Sequence, residues 1–228
     1  MKKAVLVLLL ICLFSGLSFA EGKGLSNLTY GIIEGTKDLG KVYSTPIEID
    51  YLKSALALTG TLVTSLFDSP VHGFFSDLKS LETVAVVLSK SVEPVGLGIL
   101  YTTLGWNNKD FARKMIGSSL FTGINTIGLK YLVGKSRPLV SDVPSYIGPN
   151  FKSDYNAFPS GHTALSFNLA TVLSSEYPEY SFWFYTWSSS VGLSRIILER
   201  HWISDVLGGA ITGTYSANIY LKAIEENH

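Results

Sequence analysis

The chain has almost no cysteine. Of its 228 residues a single one, Cys12, is a cysteine, and it lies within an apolar run near the start. Ile11 stands where a lipoprotein signal would carry a small residue, which argues against lipid attachment. Because the rest of the chain has no thiol, disulfide bridges and thiol-based catalysis are excluded, including the chemistry of cysteine-dependent phosphatases.

An excess of charge of either sign is also missing. The chain has 18 basic and 18 acidic residues, and loss of Lys2 and Lys3 with a leader would give a formal charge of −2. No run of basic residues stands out, so the sequence gives no support for nucleic acid as a partner.

The first 20 residues have the pattern of a leader. Lys2 and Lys3 form a positive start, Ala4 to Phe14 is apolar, and residues 18–20 form a small-x-small cleavage site. This pattern predicts a secretory signal peptide over residues 1–20, cleaved before Glu21, and therefore an exported, periplasmic protein. The alternative is an uncleaved membrane anchor, for which the apolar run is short.

Long uninterrupted apolar runs are scarce beyond the leader. The mean hydropathy of +0.28 falls to about +0.1 without the leader, on the usual scale. Lys90 and Glu93 interrupt one predicted helix and Lys130 another, whereas a span needs about 20 mostly apolar residues. Residues 182–198 and 206–221 are nearly uncharged. A soluble or membrane-associated periplasmic bundle is favoured, and an integral inner-membrane protein is the alternative.

Apolar periodicity predicts an all-α, single-domain bundle of about six helices. Residues 21–50 are polar and predict an N-terminal arm, extended with one short helix, and residues 51–228 form the predicted helical domain. The segment 139–157 is predicted to be a loop, and a loop of that length is typical of an active-site lid. The predicted helices cover residues 51–67, 78–104 with a break at Pro94, 110–133, 160–175, 181–200 and 201–224.

The first motif places two cations seven residues apart. Lys130 and Arg137 are two helical turns apart, which returns a side chain to within about 20° of the same face. Gly134 and Pro138 indicate that the helix ends before Arg137, so both cations could converge on an anion held by the loop, for which a guanidinium fork is well matched. The alternative is two solvated cations at a helix C-terminus. Lys135 is expected to face elsewhere.

The second motif lies at the start of a predicted helix. Ser160 is a suitable N-cap, and Gly161 lets an anion approach the free N–H groups of the first turn. His162 would lie beside that anion, whose charge favours the imidazolium that can protonate a leaving alkoxide. The alternative is an ordinary capped helix with a solvated histidine.

The third motif combines a cation, an imidazole and a carboxylate. Arg195 precedes His201 by six residues, and Asp205 follows His201 by four, which is one turn on a continuous helix. A carboxylate bound to one ring nitrogen fixes the tautomer and leaves the other nitrogen free to attack, so His201 could become a phosphohistidine that water then hydrolyses. The alternative is a helical ion pair of little energetic weight.

In combination, the patterns Lys-x6-Arg-Pro, Pro-Ser-Gly-His and Ser-Arg-x5-His-x3-Asp resemble the three-part signature of the type 2 phosphatidic acid phosphatase and vanadium haloperoxidase superfamily. That superfamily includes bacterial acid phosphatases and lipid phosphatases, and the resemblance covers residues 115–221. It implies an all-α core. It also implies site residues with three roles, namely phosphate binding by Lys130, Arg137, Ser160, Gly161 and Arg195, proton donation by His162, and nucleophilic attack by His201 with Asp205 as its partner. The cations, imidazoles and carboxylate of the three motifs are an inventory for cleaving a phosphate ester without a metal, so no metal and no cofactor is expected.

The expected function is therefore that of a metal-independent phosphatase, a phosphoric ester hydrolase acting on phosphorylated small molecules or lipids through a phosphohistidine. Contact with a membrane stays open. The alternatives are an integral membrane lipid phosphatase or pyrophosphatase, a vanadate-dependent haloperoxidase, and a binding module without turnover.

Overall fold

The computed structural model describes residues 23–45, 51–76, 78–104 and 108–226, so the predicted signal peptide lies outside the described residues. The described chain is helical apart from turns, short 3₁₀ segments and one isolated bridge between Lys135 and Tyr146. This confirms the predicted all-α class. Its helices are α1 (Lys23–Ser44), α2 (Tyr51–Ser65), α3 (Asp68–Ser76), α4 (Glu82–Lys90), α5 (Pro94–Leu104), α6 (Lys109–Val133), α7 (Gly161–Glu176), α8 (Ser181–Ile197) and α9 (Ile203–Glu225).

The nine α-helices in the described ranges exceed the predicted six because α1 forms in the predicted arm, α3 follows α2, and Pro94 divides the predicted helix 78–104 into two. Pro94 separates α4 from α5 and occupies the first position of α5. There the N–H that proline lacks has no intrahelical partner in any case. Pro70 is similarly tolerated in the first turn of α3. The predicted loop 139–157 holds no α-helix and includes a single short 3₁₀ turn, Ser153–Tyr155.

Residues 23–44 differ from the predicted extended arm, since they form one continuous helix of 22 residues, α1. Close approach to α6 explains the difference: a Cβ atom built on Gly35 would lie 2.8 Å from Gly117 Cα. A buried ion pair also joins the two helices, with Arg113 Nε donating to Asp38 Oδ2 at 2.6 Å. Tertiary packing, rather than local sequence preference, therefore stabilises most of this helix.

The central helices α6, α7 and α9 supply most of the buried core. Phe111 and Met115 of α6, Leu169 of α7 and Tyr220 of α9 are among its fully buried side chains. Helices α7 and α9 approach each other closely, because a Cβ atom on Gly213 would lie 2.0 Å from the Ala164 carbonyl oxygen. This contact holds the N-terminal ends of α7 and α9 side by side.

Several large apolar side chains remain on the surface. Phe182 and Trp183 of α8 are 71% and 66% exposed. Leu56 and Leu62 of α2 are also exposed. In the part of the chain that the structure describes, no helix combines the length and the apolar character needed to cross a bilayer.

Candidate active site

Lys130 and Arg137 both donate hydrogen bonds to Asn156. Lys130 lies in the last turn of α6, which ends at Gly134 in a left-handed conformation with φ of 56°. The Lys130 ammonium donates to the Asn156 carbonyl oxygen, and Arg137 Nη2 donates to Asn156 Oδ1 at 2.8 Å. The structure therefore brings the two predicted cations together, and it adds Asn156 from the predicted loop, which no sequence pattern singled out.

The start of α7 lies next to this pair. A Cβ atom on Gly161 would be 4.0 Å from Lys130 Cε. Ser160 is at the N-cap position, as predicted, but its hydroxyl accepts a hydrogen bond from Thr163 Oγ1 at 2.9 Å and does not cap the first turn. Because the positive end of α7 is not satisfied by its own N-cap side chain, it favours an anion at this place.

Arg195 is the third cation of the cluster. It is 8% exposed and donates through Nη1 to Ser89 Oγ of α4. Burial lowers the pKa of Arg195 to about 10, and the charges of Arg137 and Arg200 add to the effect. Burial likewise lowers the pKa of Lys130 to about 8, with Arg137 and Arg195 contributing repulsion. The repulsion among these cations would be relieved by an anion bound between them.

His162, in the first turn of α7, faces the same cluster. Burial lowers the pKa of His162 to about 4, and the next causes are the charges of Arg195 and Lys130. Its Nε2 lies 3.9 Å from Glu93 Oε1. Among the residues that the structure describes, no hydrogen-bond partner reaches the buried atoms His162 Nε2 and Arg195 Nε. Buried donors of this kind usually have a partner, so both atoms indicate a ligand position.

The structure brings His201 and Asp205 together, but not on one continuous helix as predicted. Helix α9 begins at Ile203, so His201 precedes it and Asp205 is its third residue. The chain bends so that His201 Nδ1 lies 3.6 Å from Asp205 Oδ2, and this same oxygen accepts the Trp202 N–H at 2.8 Å. The pairing thus comes from the N-terminal capping of α9.

The imidazole of His201 is 3% exposed, and this burial favours its neutral form. Burial lowers its pKa to about 3, against the opposing effect of Asp205. For Asp205, burial alone would raise the pKa, but contact with His201 and the charge of Lys135 hold it below the usual value. A neutral imidazole beside a carboxylate is the state in which a ring nitrogen keeps a free lone pair.

The sequence interpretation of Lys135 missed its contacts, one of which is with Asp205 of the third motif. Its buried ammonium donates to Asp205 Oδ1 at 2.8 Å and to Asp68 Oδ2 at 2.7 Å. Asp68 begins α3 and is fully buried. Proximity to Arg137 in sequence was the only local signal for Lys135, and no spacing rule links it to a residue as distant as Asp68.

A cavity of about 620 Å³ adjoins Arg195 on the side of α4. Its walls are mostly charged, and Glu199 and Arg200 line it. Glu93 borders both this cavity and His162. The cavity therefore opens next to the imidazole that would face a leaving group. Its remaining lining residues include Glu82, Val86, Ser89, Lys90, Ile197 and Leu198.

The described residues thus combine three cations, a helix start without a side-chain cap, two imidazoles and a carboxylate, which are groups that could bind and transfer a phosphoryl group. Over the same described ranges, no three His, Cys, Asp or Glu side chains converge in a geometry that could hold a metal ion.

Comparisons with known proteins identify relatives of this chain. A lipid A 1-phosphatase from Porphyromonas gingivalis is 36% identical over 122 residues, which are 52% of this chain and 24% of that protein. The chain therefore spans about a quarter of the length of that relative.

Two crystal structures share the fold. LpxE from Aquifex aeolicus has a TM-score of 0.58 at 23% identity, over 68% of this chain and 95% of that one. A phosphatidylglycerolphosphate phosphatase from Bacillus subtilis, described as a transmembrane PAP2 type enzyme, has a TM-score of 0.50 at 17% identity, over 90% of this chain and 98% of that one. Residues 111–228 match the PAP2 superfamily. This match includes all three motifs and more than half of the chain, and the chain belongs to the PAP2 superfamily.

Proposed function

We propose that the protein is a phosphatase that hydrolyses lipid phosphate monoesters without a metal ion, through a phosphohistidine intermediate. The observation that carries the proposal is a pair of buried atoms, His162 Nε2 and Arg195 Nε, that have no hydrogen-bond partner among the described residues and lie in a cluster of cations at the start of α7. A phosphoryl group placed there would give both atoms a partner and would relieve the repulsion among the cations. Membership of the PAP2 superfamily supports the hydrolase class.

In the first step, the lone pair of His201 Nε2 attacks phosphorus while the bond from phosphorus to the alcohol oxygen breaks. Asp205 orients the ring through Nδ1 and stabilises the positive charge that develops on it. The cations Lys130, Arg137 and Arg195, with the N–H groups of the α7 start, bind the non-bridging oxygens. The imidazolium of His162 gives its proton to the leaving alkoxide.

In the second step, water attacks the phosphohistidine. His162, now neutral, takes a proton from that water, the bond from phosphorus to His201 Nε2 breaks, and inorganic phosphate leaves. This restores the starting protonation of both histidines. The two imidazoles therefore act in turn, one on phosphorus and one on the proton.

Two observations favour a lipid whose phosphate is attached to a polar headgroup. Helices α2 and α3 and the turn between them expose Leu62, Leu66 and Phe74, each by two thirds or more, and such surface is suited to a bilayer. The charged cavity beside Arg195 lies next to His162, where the alcohol must leave, and its walls suit a hydroxylated or charged alcohol. The similarity to a lipid A 1-phosphatase, in which the phosphate belongs to a lipid, supports the same substrate class.

The test of the chemistry is release of phosphate from a chromogenic ester in the presence of a chelator. We expect full activity with chelator, no activity for His201→Ala, and unchanged activity for the control Lys37→Ala on the exposed face of α1. Rapid quenching should trap a phosphoenzyme that is stable in alkali and labile in acid, as expected for phosphohistidine. An active His201→Ala variant would refute the proposed nucleophile.

A second experiment tests the substrate class. We expect a higher kcat/KM for lipid A 1-phosphate and phosphatidate in mixed micelles than for soluble sugar phosphates. Export to the periplasm, and retention on membranes until a carbonate wash, are also expected. Equal rates with soluble esters would contradict the lipid assignment and leave the hydrolytic chemistry intact.

A further inference from the structure

We propose that Lys135 is a positioning residue for Asp205 and that Asp68 holds Lys135 in place. The proposal rests on the proposed phosphatase function, in which Asp205 orients the nucleophile. Neither residue belongs to the three-part signature, and Asp68 lies outside the region that matches the superfamily. The inference would therefore extend the reaction machinery into the N-terminal third of the chain.

The ammonium of Lys135 has no remaining hydrogen-bonding capacity. Its three N–H groups match three acceptors, namely Asp68 Oδ2 at 2.7 Å, Ser204 Oγ at 2.6 Å and Asp205 Oδ1 at 2.8 Å. An ammonium group has three donors, so this side chain is fully satisfied and cannot turn without losing a bond. It is also 1% exposed, which leaves little access for competing water.

The two oxygens of the Asp205 carboxylate have different partners. Lys135 binds Oδ1, while Oδ2 accepts the Trp202 N–H and faces His201 Nδ1. Without Lys135, the carboxylate could rotate and exchange its oxygens. The position of Oδ2 against the imidazole therefore depends on the bond at Oδ1.

Asp68 binds both Lys135 and Ser204. Its Oδ1 accepts the Ser204 N–H at 2.9 Å, and its Oδ2 accepts the Ser204 hydroxyl at 2.8 Å in addition to Lys135. Asp68 thus ties the first residue of α3 to the first turn of α9. Two carboxylates and one ammonium leave this buried group with one negative charge, which would balance the positive charge that His201 gains when it is phosphorylated.

A double-mutant cycle tests the proposal with Lys135→Met, Asp205→Asn and the double variant. We expect Lys135→Met to lower kcat about 100-fold, the loss typical of a misplaced reacting group. The inhibition constant for inorganic phosphate should change by less than about 3-fold, because the phosphate-binding cations stay in place. If Lys135 acts through Asp205, the double variant should be no slower than Asp205→Asn alone. Lys37→Met serves as the control for loss of a lysine.

Each outcome decides the proposal. A Lys135→Met enzyme with wild-type kcat, or a double variant whose losses multiply in full, would overturn it. If Lys135→Met does not fold, the near-isosteric Asp68→Asn replaces it, with an expected loss in kcat of about 10-fold and an unchanged phosphate constant. An unchanged kcat in Asp68→Asn would also overturn the proposal. An inactive wild-type enzyme would refute the proposed function itself, and the positioning role with it.

Discussion

Replacement of Arg195 by glutamine tests the cation cluster at its most buried member. Arg195 is 8% exposed, and its Nε has no partner within the described residues, so its charge is available to a bound phosphoryl group. A hydrogen bond from a charged group contributes about 1.5–3 kcal/mol, which corresponds to a loss in kcat/KM of about 10- to 150-fold. We expect a loss in this range for Arg195→Gln.

The same variant should change the pH dependence. The proposed proton donor is His162 in its charged form, and the pKa of His162 in the free enzyme is about 4. We therefore expect kcat/KM to be highest below this pKa and to fall as the pH rises through it. After burial, the charge of Arg195 is the largest cause of that low pKa. Removing it raises the pKa of His162, and the basic limb of the kcat/KM profile should therefore move to higher pH.

The assay is the initial rate of phosphate release from a chromogenic ester, measured from about pH 3 to about pH 8, a range that reaches from below the pKa of His162, about 4, to above the ordinary histidine value of about 6.5. Lys37→Gln is the control for loss of an exposed cation, and a circular dichroism spectrum checks the fold. Wild-type kcat/KM in Arg195→Gln, or a basic limb that moves to lower pH, would refute the reasoning about both the phosphate contact and the proton donor.

Three further predictions follow from particular contacts. Gly213→Ala should lower the free energy of unfolding by about 1–3 kcal/mol in urea titrations, because the added Cβ would lie 2.0 Å from Ala164 O; Gly123→Ala, with nothing within 4 Å, is its control and should not destabilise. Asp38→Asn should lower the free energy of unfolding by about 3–5 kcal/mol by breaking a buried ion pair. Since the pKa of Asp38 is lowered from 3.8, the contribution of its carboxylate to the free energy of unfolding should be present above pH 3.8 and lost as the pH falls further. In the wild type, the basic limb of kcat should lie at higher pH than that of kcat/KM, because a bound dianion raises the pKa of His162; coincident limbs in a pH-rate series would contradict this.

Local sequence was sufficient for the helical class and for selecting the residues of the three motifs, but it did not indicate Asn156 or Asp68. The cations, Gly161 and the imidazoles each lie in a short motif near the end or the start of a helix. At such places the free backbone groups of the helix and the side chains of the motif lie close together. Gly134 ends α6 as expected, and Pro94 separates two helices as expected. Such features depend on a few neighbouring residues, and for that reason the sequence determined them.

The tertiary structure decided what lies between those motifs. Helix α1 forms where the sequence indicated an arm, because Gly35 and Asp38 find partners on α6. His201 meets Asp205 through the capped start of α9 rather than along a helix. Lys135 reaches Asp68 across 67 positions of sequence. A buried charge must have a partner, but any distant segment can supply it, and only the packing of α3 against α9 determines which one does.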